Sequence, residues 1–95
     1  MNTYQAEYTD TFGGEANYGW VRRHNITVPE LTAFGYDGGS NYAKANKRLQ
    51  SYVMRKAKAA VGITGMRGRT TSFGDGWEFR PYRSSTVLFV TFADE

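Results

Sequence analysis

The chain has 95 residues, a formal charge of +3 from twelve Lys and Arg against nine Asp and Glu, and no cysteine. That length makes one domain, residues 1–95, with room for a single core, and the lack of thiols excludes disulfides and cysteine-ligated metal sites. The opening MNTYQAEYTD carries no apolar signal segment, and the longest strongly apolar run, Val87 to Val90, is far too short to cross a bilayer. A cytoplasmic protein without membrane contact is therefore expected.

Thr3 to Thr9 alternates, with Tyr4, Ala6 and Tyr8 on one side and Thr3, Gln5, Glu7 and Thr9 on the other, which is the period of a half-buried strand. Gly13-Gly14 marks a turn, because glycine reaches positive φ without a Cβ clash. A second strand is expected from Tyr18 to Val28, with Trp20, Ile26 and Val28 facing the core. Arg22 and His24 interrupt that face, which points to a bulge or a sheet edge, and Pro29 ends the strand. Glu30 to Gly39 reads as a loop with one helical turn.

The clearest element comes next. Ser40 or Asn41 caps a helix running to about Val61, with Ala45, Leu49, Tyr52, Val53, Ala57 and Ala60 as its apolar stripe. Gly62 supplies a left-handed stop, and Ile63 folds back on the last turn. Met66 to Phe73 and Trp77 to Tyr82 form a hairpin about Gly74-Asp75-Gly76. Thr86 to Phe92, apolar on both faces, belongs in the middle of the sheet. The order β-β-α-β-β-β predicts an α+β two-layer sandwich, an antiparallel sheet of four to five strands carrying one long helix.

Charge is distributed unevenly along this order. Between Gly38 and Gly74 there are eight basic residues, Lys44, Lys47, Arg48, Arg55, Lys56, Lys58, Arg67 and Arg69, and no acidic one. The formal +3 thus divides into +8 in the middle and −5 at the two ends, a segregation that attracts polyanions or acidic protein surfaces. Lys44, Lys47, Arg48, Ser51, Arg55 and Lys58 fall on the helix face opposite Leu49, Val53 and Ala57. A merely solvated helix face usually mixes signs to gain i,i+4 pairs; a face of one sign forgoes that support, which favours a binding role. Arg67-Gly68-Arg69 is expected to extend the stripe past the helix end, since arginine holds phosphates and carboxylates bidentately. Of Arg22 and Arg23, one is expected to pair with Glu7 or Glu15 across the hairpin.

Other features point away from chemistry. His24 is the single histidine and has no metal-ligand company, and the carboxylates near Asp10 and Glu15 or Asp75 and Glu78 lack a nucleophile or base. A non-enzymatic protein without metal or cofactor is expected. Tyr4, Tyr8, Tyr18, Trp20, Trp77 and Tyr82 either fill a core short of aliphatics or stack bases on an open sheet face; the first reading is favoured.

YTDTFGGEANYGWVRR (Tyr8 to Arg23) and AKAAVGITGMRGRTTSFGD (Ala57 to Asp75) resemble small open reading frames of bacteriophages and mobile elements. Proteins of this size and α+β layout among them include many anti-CRISPR and other host-defence inhibitors. The resemblance implies a phage-type inhibitor that docks on a host protein or ribonucleoprotein complex with an acidic surface and blocks its recognition of nucleic acid. Many such inhibitors are acidic DNA mimics; this chain departs from them through its basic middle. On this reading Lys44, Lys47, Arg48, Arg55, Lys58, Arg67 and Arg69 are charge partners. A small basic nucleic-acid-binding regulator using the same residues is the alternative, and a viral assembly protein the third.

Overall fold

The computed structural model describes residues 1–93. Strands β1 (Asn2–Phe12) and β2 (Glu15–Val28) form a hairpin closed by Gly13 and Gly14 at φ 62° and 85°, as a two-residue type I′ turn requires. A 3-10 turn over Leu31–Phe34 leads to helix α1 (Tyr42–Val61), followed by β3 (Gly68–Phe73), β4 (Gly76–Pro81) and β5 (Thr86–Ala93). All pairings are antiparallel, in the order β2-β1-β5-β4-β3. This is the α+β sandwich the pattern predicted, with β5 in the middle of five strands. No helix among the described residues is long and apolar enough to cross a membrane.

The register explains the core. Tyr8 stands opposite Leu88, and Leu88 opposite Phe79; Ala6 stands opposite Val90. These side chains, with Tyr4, Ile26 and Val28, pack against Leu49, Val53, Met54, Ala57 and Val61 of α1 and against Ile63. The buried face of α1 is rotated slightly from expectation. Met54 and Val61 are in the core, while Tyr52 and Ala60 are only half-buried, because Tyr52 turns to an edge-on contact with Phe34 of the 3-10 turn at 5.4 Å.

The six candidate aromatic residues divide between the core and the surface. Tyr4 and Tyr8 are buried, Tyr4 against Trp77 and Phe92 at 5.8 and 5.5 Å between ring centroids. Tyr18 and Trp20 are exposed on edge strand β2, and Tyr82 is exposed just past β4. Tyr18 donates its hydroxyl to Glu7 at 2.8 Å, and Trp20 rests on Tyr8 at 5.3 Å.

The β1–β2 pairing breaks between Thr9 and Thr11, where Asn17 to Trp20 bulge out and Tyr18 takes φ 56°. Asp10 holds the bulge. Its carboxylate accepts from Asn17 Nδ2 at 2.9 Å and from the Gly19 and Trp20 amides at 2.8 and 3.4 Å. The Asn17 bond above all, against an opposing desolvation and with help from the Gly19 and Trp20 amides and the Thr9 hydroxyl, holds the Asp10 carboxyl below the ordinary aspartate range. A carboxylate with a depressed folded pKa contributes stability above its unfolded value, and the contribution disappears as pH falls through the folded one. Wild-type protein is therefore expected to lose stability on acidification below roughly pH 4, and Asp10→Asn to flatten that limb. Urea midpoints measured from pH 6 to pH 2 check this; an identical acid limb in the variant would contradict the role given to Asp10.

Candidate functional site

Helix α1 is held at both ends by groups outside its own ladder. At the N-terminus the expected cap position is occupied by Asn41, but its side chain does not cap. Its amide donates to the Gly35 carbonyl at 2.6 Å and its oxygen accepts from the Asp37 amide at 3.3 Å, so it braces the preceding loop instead. At the C-terminus Gly62 has φ 83°, and Ile63 N donates to the Lys58 carbonyl at 2.8 Å, the expected left-handed stop. Arg22 completes this end. Its Nη1 donates to the Val61 carbonyl at 2.8 Å, and its guanidinium lies 5.6 and 5.9 Å from the Trp20 and Tyr8 ring centroids. The charge that interrupts the apolar face of edge strand β2 thus serves the helix terminus, where a cation also complements the helix dipole. The cross-hairpin pairing falls to Arg23, whose Nε donates to Glu7 at 2.7 Å.

With its buried side fixed against the sheet, α1 turns Lys44, Lys47, Arg48, Ser51 and Arg55 to solvent, and all five are exposed. They lie within an arc of roughly 100° on the helix, and Lys44 and Arg55 are about 16 Å apart along the axis. Arg48 reaches the Phe34 carbonyl at 3.3 Å, and Arg55 lies 5.5 Å from the Tyr52 ring centroid; both guanidinium groups remain accessible.

Lys58 differs from the rest of the stripe. Its Nζ sits 4.0 Å from the Phe79 ring centroid and donates to the Met66 carbonyl at 3.3 Å, and partial burial pushes its pKa down. It clamps the helix end to the following turn and offers less charge outward. Met66, expected in a strand, lies in that turn, its amide donating to Ile63 at 3.1 Å; β3 starts at Gly68. Arg67 is exposed beside this clamp. Arg69 stands opposite Arg80 in the β3–β4 register. It therefore projects, like Arg80, on the sheet face away from α1, because Phe79, which alternates with Arg80, is in the core under the helix. The structure thus gathers Lys44, Lys47, Arg48 and Arg55 on one surface, places Arg67 beyond its end, half-withdraws Lys58, and sends Arg69 to the other face.

The acidic residues are arranged in the opposite way. Glu7 meets Arg23, Glu78 meets Arg80 at 2.6 Å, and Glu30 meets the N-terminal ammonium at 3.3 Å. Asp10 serves the bulge, and Asp37 accepts from the Gly39 amide at 2.9 Å. Among the described residues, no ion pair involves any of the eight basic residues between Gly38 and Gly74. Of the acidic end segments, Glu7 and Glu78 share the sheet face on either side of Phe89, each neutralised by its own arginine; Asp94 and Glu95 lie outside the described residues. The first turn of α1 carries no acidic residue, and Lys44 and Lys47 sit in its N-terminal half, where cations oppose the macrodipole. Helix stability does not account for this face. Among the described residues no group of three or more His, Cys, Asp or Glu converges.

Comparison with known proteins returns no matching family model, no similar characterised protein and no similar solved structure.

Proposed function

We propose that the chain is a non-enzymatic binding protein of the host-defence-inhibitor kind. It docks through the outward face of α1 on an acidic, nucleic-acid-handling host complex, such as a CRISPR ribonucleoprotein, and occludes its target site. Lys44, Lys47, Arg48 and Arg55 make the central contacts, Arg67 extends them and Lys58 contributes from the margin, whereas Arg69, on the other face of the sheet, stands apart from this surface. The observation that supports the reading is the contrast in ion pairing: among the described residues Glu7, Glu30 and Glu78 each have an ion-pair partner, while no residue of the basic face does. Charges left unpaired in this way are available to a partner and produce a field that speeds encounter with it.

Direct binding to nucleic acid is the second reading, favoured by the extent of the stripe. Its length of about 16 Å matches roughly five base-pair steps of a duplex. The stripe presents Lys, Arg and Ser but no Asn or Gln for adenine, so any base readout would fall to Arg48 and Arg55 on guanine edges.

The two readings separate in one experiment: labelled duplex DNA, single-stranded DNA and RNA titrated with the protein across a salt series, beside a purified effector complex assayed for target binding with the protein present. Inhibition of the effector with weak affinity for free nucleic acid supports the first reading. Tight binding to free duplex, with log K falling on log salt with a slope of about −4, supports the second. No inhibition and no binding at low salt would remove both.

A further inference from the structure

The two edges of the sheet are not alike. Edge strand β2 is guarded by the bulge at Tyr18, by Arg22, Arg23 and His24, and by Pro29 at its end, devices that discourage further pairing. Edge strand β3 has neither bulge nor proline. It is six residues long, and Arg69 to Phe73 are all exposed.

The register states which of its backbone groups are free. β3 and β4 are joined by a two-residue turn with Phe73 opposite Gly76, so that pair exchanges hydrogen bonds, and every second pair outward does the same. Thr71 with Glu78 and Arg69 with Arg80 are the bonded pairs; Tyr82 N to the Arg67 carbonyl at 2.9 Å continues the series. Pro81, which has no N–H, falls opposite Gly68 at a non-bonded position, as this alternation demands. The N–H and C=O of Thr70 and Ser72 therefore point away from β4, and no backbone group among the described residues meets them.

We propose that this edge is a docking site for an extended, acidic segment of a partner protein, which joins the sheet as a sixth, antiparallel strand. Main-chain bonds to Thr70 and Ser72 supply affinity, and the side chains beside them supply selectivity. Arg69 stands opposite another arginine, Arg80, whose Nε is already engaged by Glu78 and Nη1 by the Gly14 carbonyl at 2.7 Å; Arg69 has no ion-pair partner among the described residues. A carboxylate on the incoming strand beside Arg69 relieves that like-charge pair. Four residues away on the same face Phe73 is 40% exposed and packs edge-on to Phe89 at 6.4 Å, a site for an apolar side chain. In the antiparallel direction the segment thus reads apolar, three residues, acidic. A second copy of this chain fits less well, since it would bring Arg67 and Arg69 of both copies, each already carrying a formal +3, to one edge. The site is separate from the α1 face and does not depend on the function proposed for it.

The test uses the full chain and a fluorescein-labelled ten-residue peptide of β-prone residues with Phe and Glu four positions apart. Saturable binding is expected, weakened about tenfold or more by Thr70→Pro, which removes an outward N–H without touching the ladder to β4. Replacing the peptide Glu by Lys should weaken it similarly. N-methylating the peptide amides that face β3 should abolish binding while methylating the alternate amides should not, a readout that stands even if the proline variant fails to fold. Failure to bind, binding indifferent to the N-methylation pattern, or sedimentation showing that copies pair through β3 in preference to the peptide would each overturn the proposal.

Discussion

Replacing Arg48 and Arg55 together by glutamate is expected to reduce binding to the polyanionic partner by more than tenfold while leaving the protein folded. Both side chains are exposed on the same stripe, so the change removes two contacts and sets two like charges against the partner. If the partner is duplex nucleic acid, the salt slope should shrink by about 2, one for each lost phosphate contact. Stability should not follow. Glutamate has nearly the helix propensity of arginine, and the new carboxylates lie one turn from Lys44 and Lys58, where opposite charges gain a few tenths of a kcal/mol. Against that gain stand the lost Arg48 bond to the Phe34 carbonyl and the lost Arg55 contact with Tyr52, so loss of function with a melting temperature little changed is the signature of a binding face. Arg69→Glu, on the far side of the sheet, is the control and should have little effect in the same assay. A loss from Arg69→Glu about half that of the double variant on a logarithmic scale, in proportion to the charge reversed, would mean that net charge alone, and not the α1 surface, governs binding.

The largest expected effect on stability comes from a residue with no side chain. A Cβ at Gly76 would collide with the Val90 carbonyl oxygen and lie 3.0 Å from Thr91 Cα. Both obstacles are backbone of central strand β5, which cannot yield without disturbing its pairing with β1 as well. Gly76→Ala is therefore expected to cost about 3 kcal/mol, at the upper end of overpacking effects, and to lower Tm by about 12–24 °C. Gly14→Ala gives the comparison. There φ is +85° but nothing stands within 4 Å of the added methyl, so the cost is about 1 kcal/mol from backbone conformation. Thermal melts of the two variants separate crowding from dihedral strain. Equal Tm losses would show that the β4–β5 approach relaxes more easily than the register implies.

Much of this architecture is legible in the chain because its signals are local. Alternation marks β1, the helical stripe from Ala45 to Ala57 marks α1, Gly62 with Ile63 marks its end, and the doubly apolar run from Val87 marks the central strand; each reflects a periodicity or dihedral requirement set by near neighbours. The basic face of α1 belongs to the same class, because helical spacing alone brings Lys44, Lys47, Arg48 and Arg55 together. That one of Arg22 and Arg23 pairs with Glu7 or Glu15 was also open to reading, but which pair forms was not: a regular two-residue hairpin sets Glu7 opposite Trp20, and the bulge brings Arg23 there instead.

What remained illegible depends on contacts distant in sequence. Asn41 sits at the cap position, but whether it caps or braces the loop was decided by where Gly35 and Asp37 lie. Arg22 reads as a flaw in an apolar strand until the end of α1 is seen to rest on it, 39 residues later. Lys58 belongs to the basic stripe by spacing and leaves it because Phe79 lies beneath its ammonium, and Arg69 follows Arg67 in sequence yet faces away from the helix, because the β3–β4 register assigns it to the other side. By itself, then, the sequence determined the elements, their order and the sign of the helix surface, since periodicity and backbone dihedrals act over a few residues. Only the tertiary structure decided which charges are shared with neighbours and which are left for a partner, because pairing depends on distances that no short-range pattern sets.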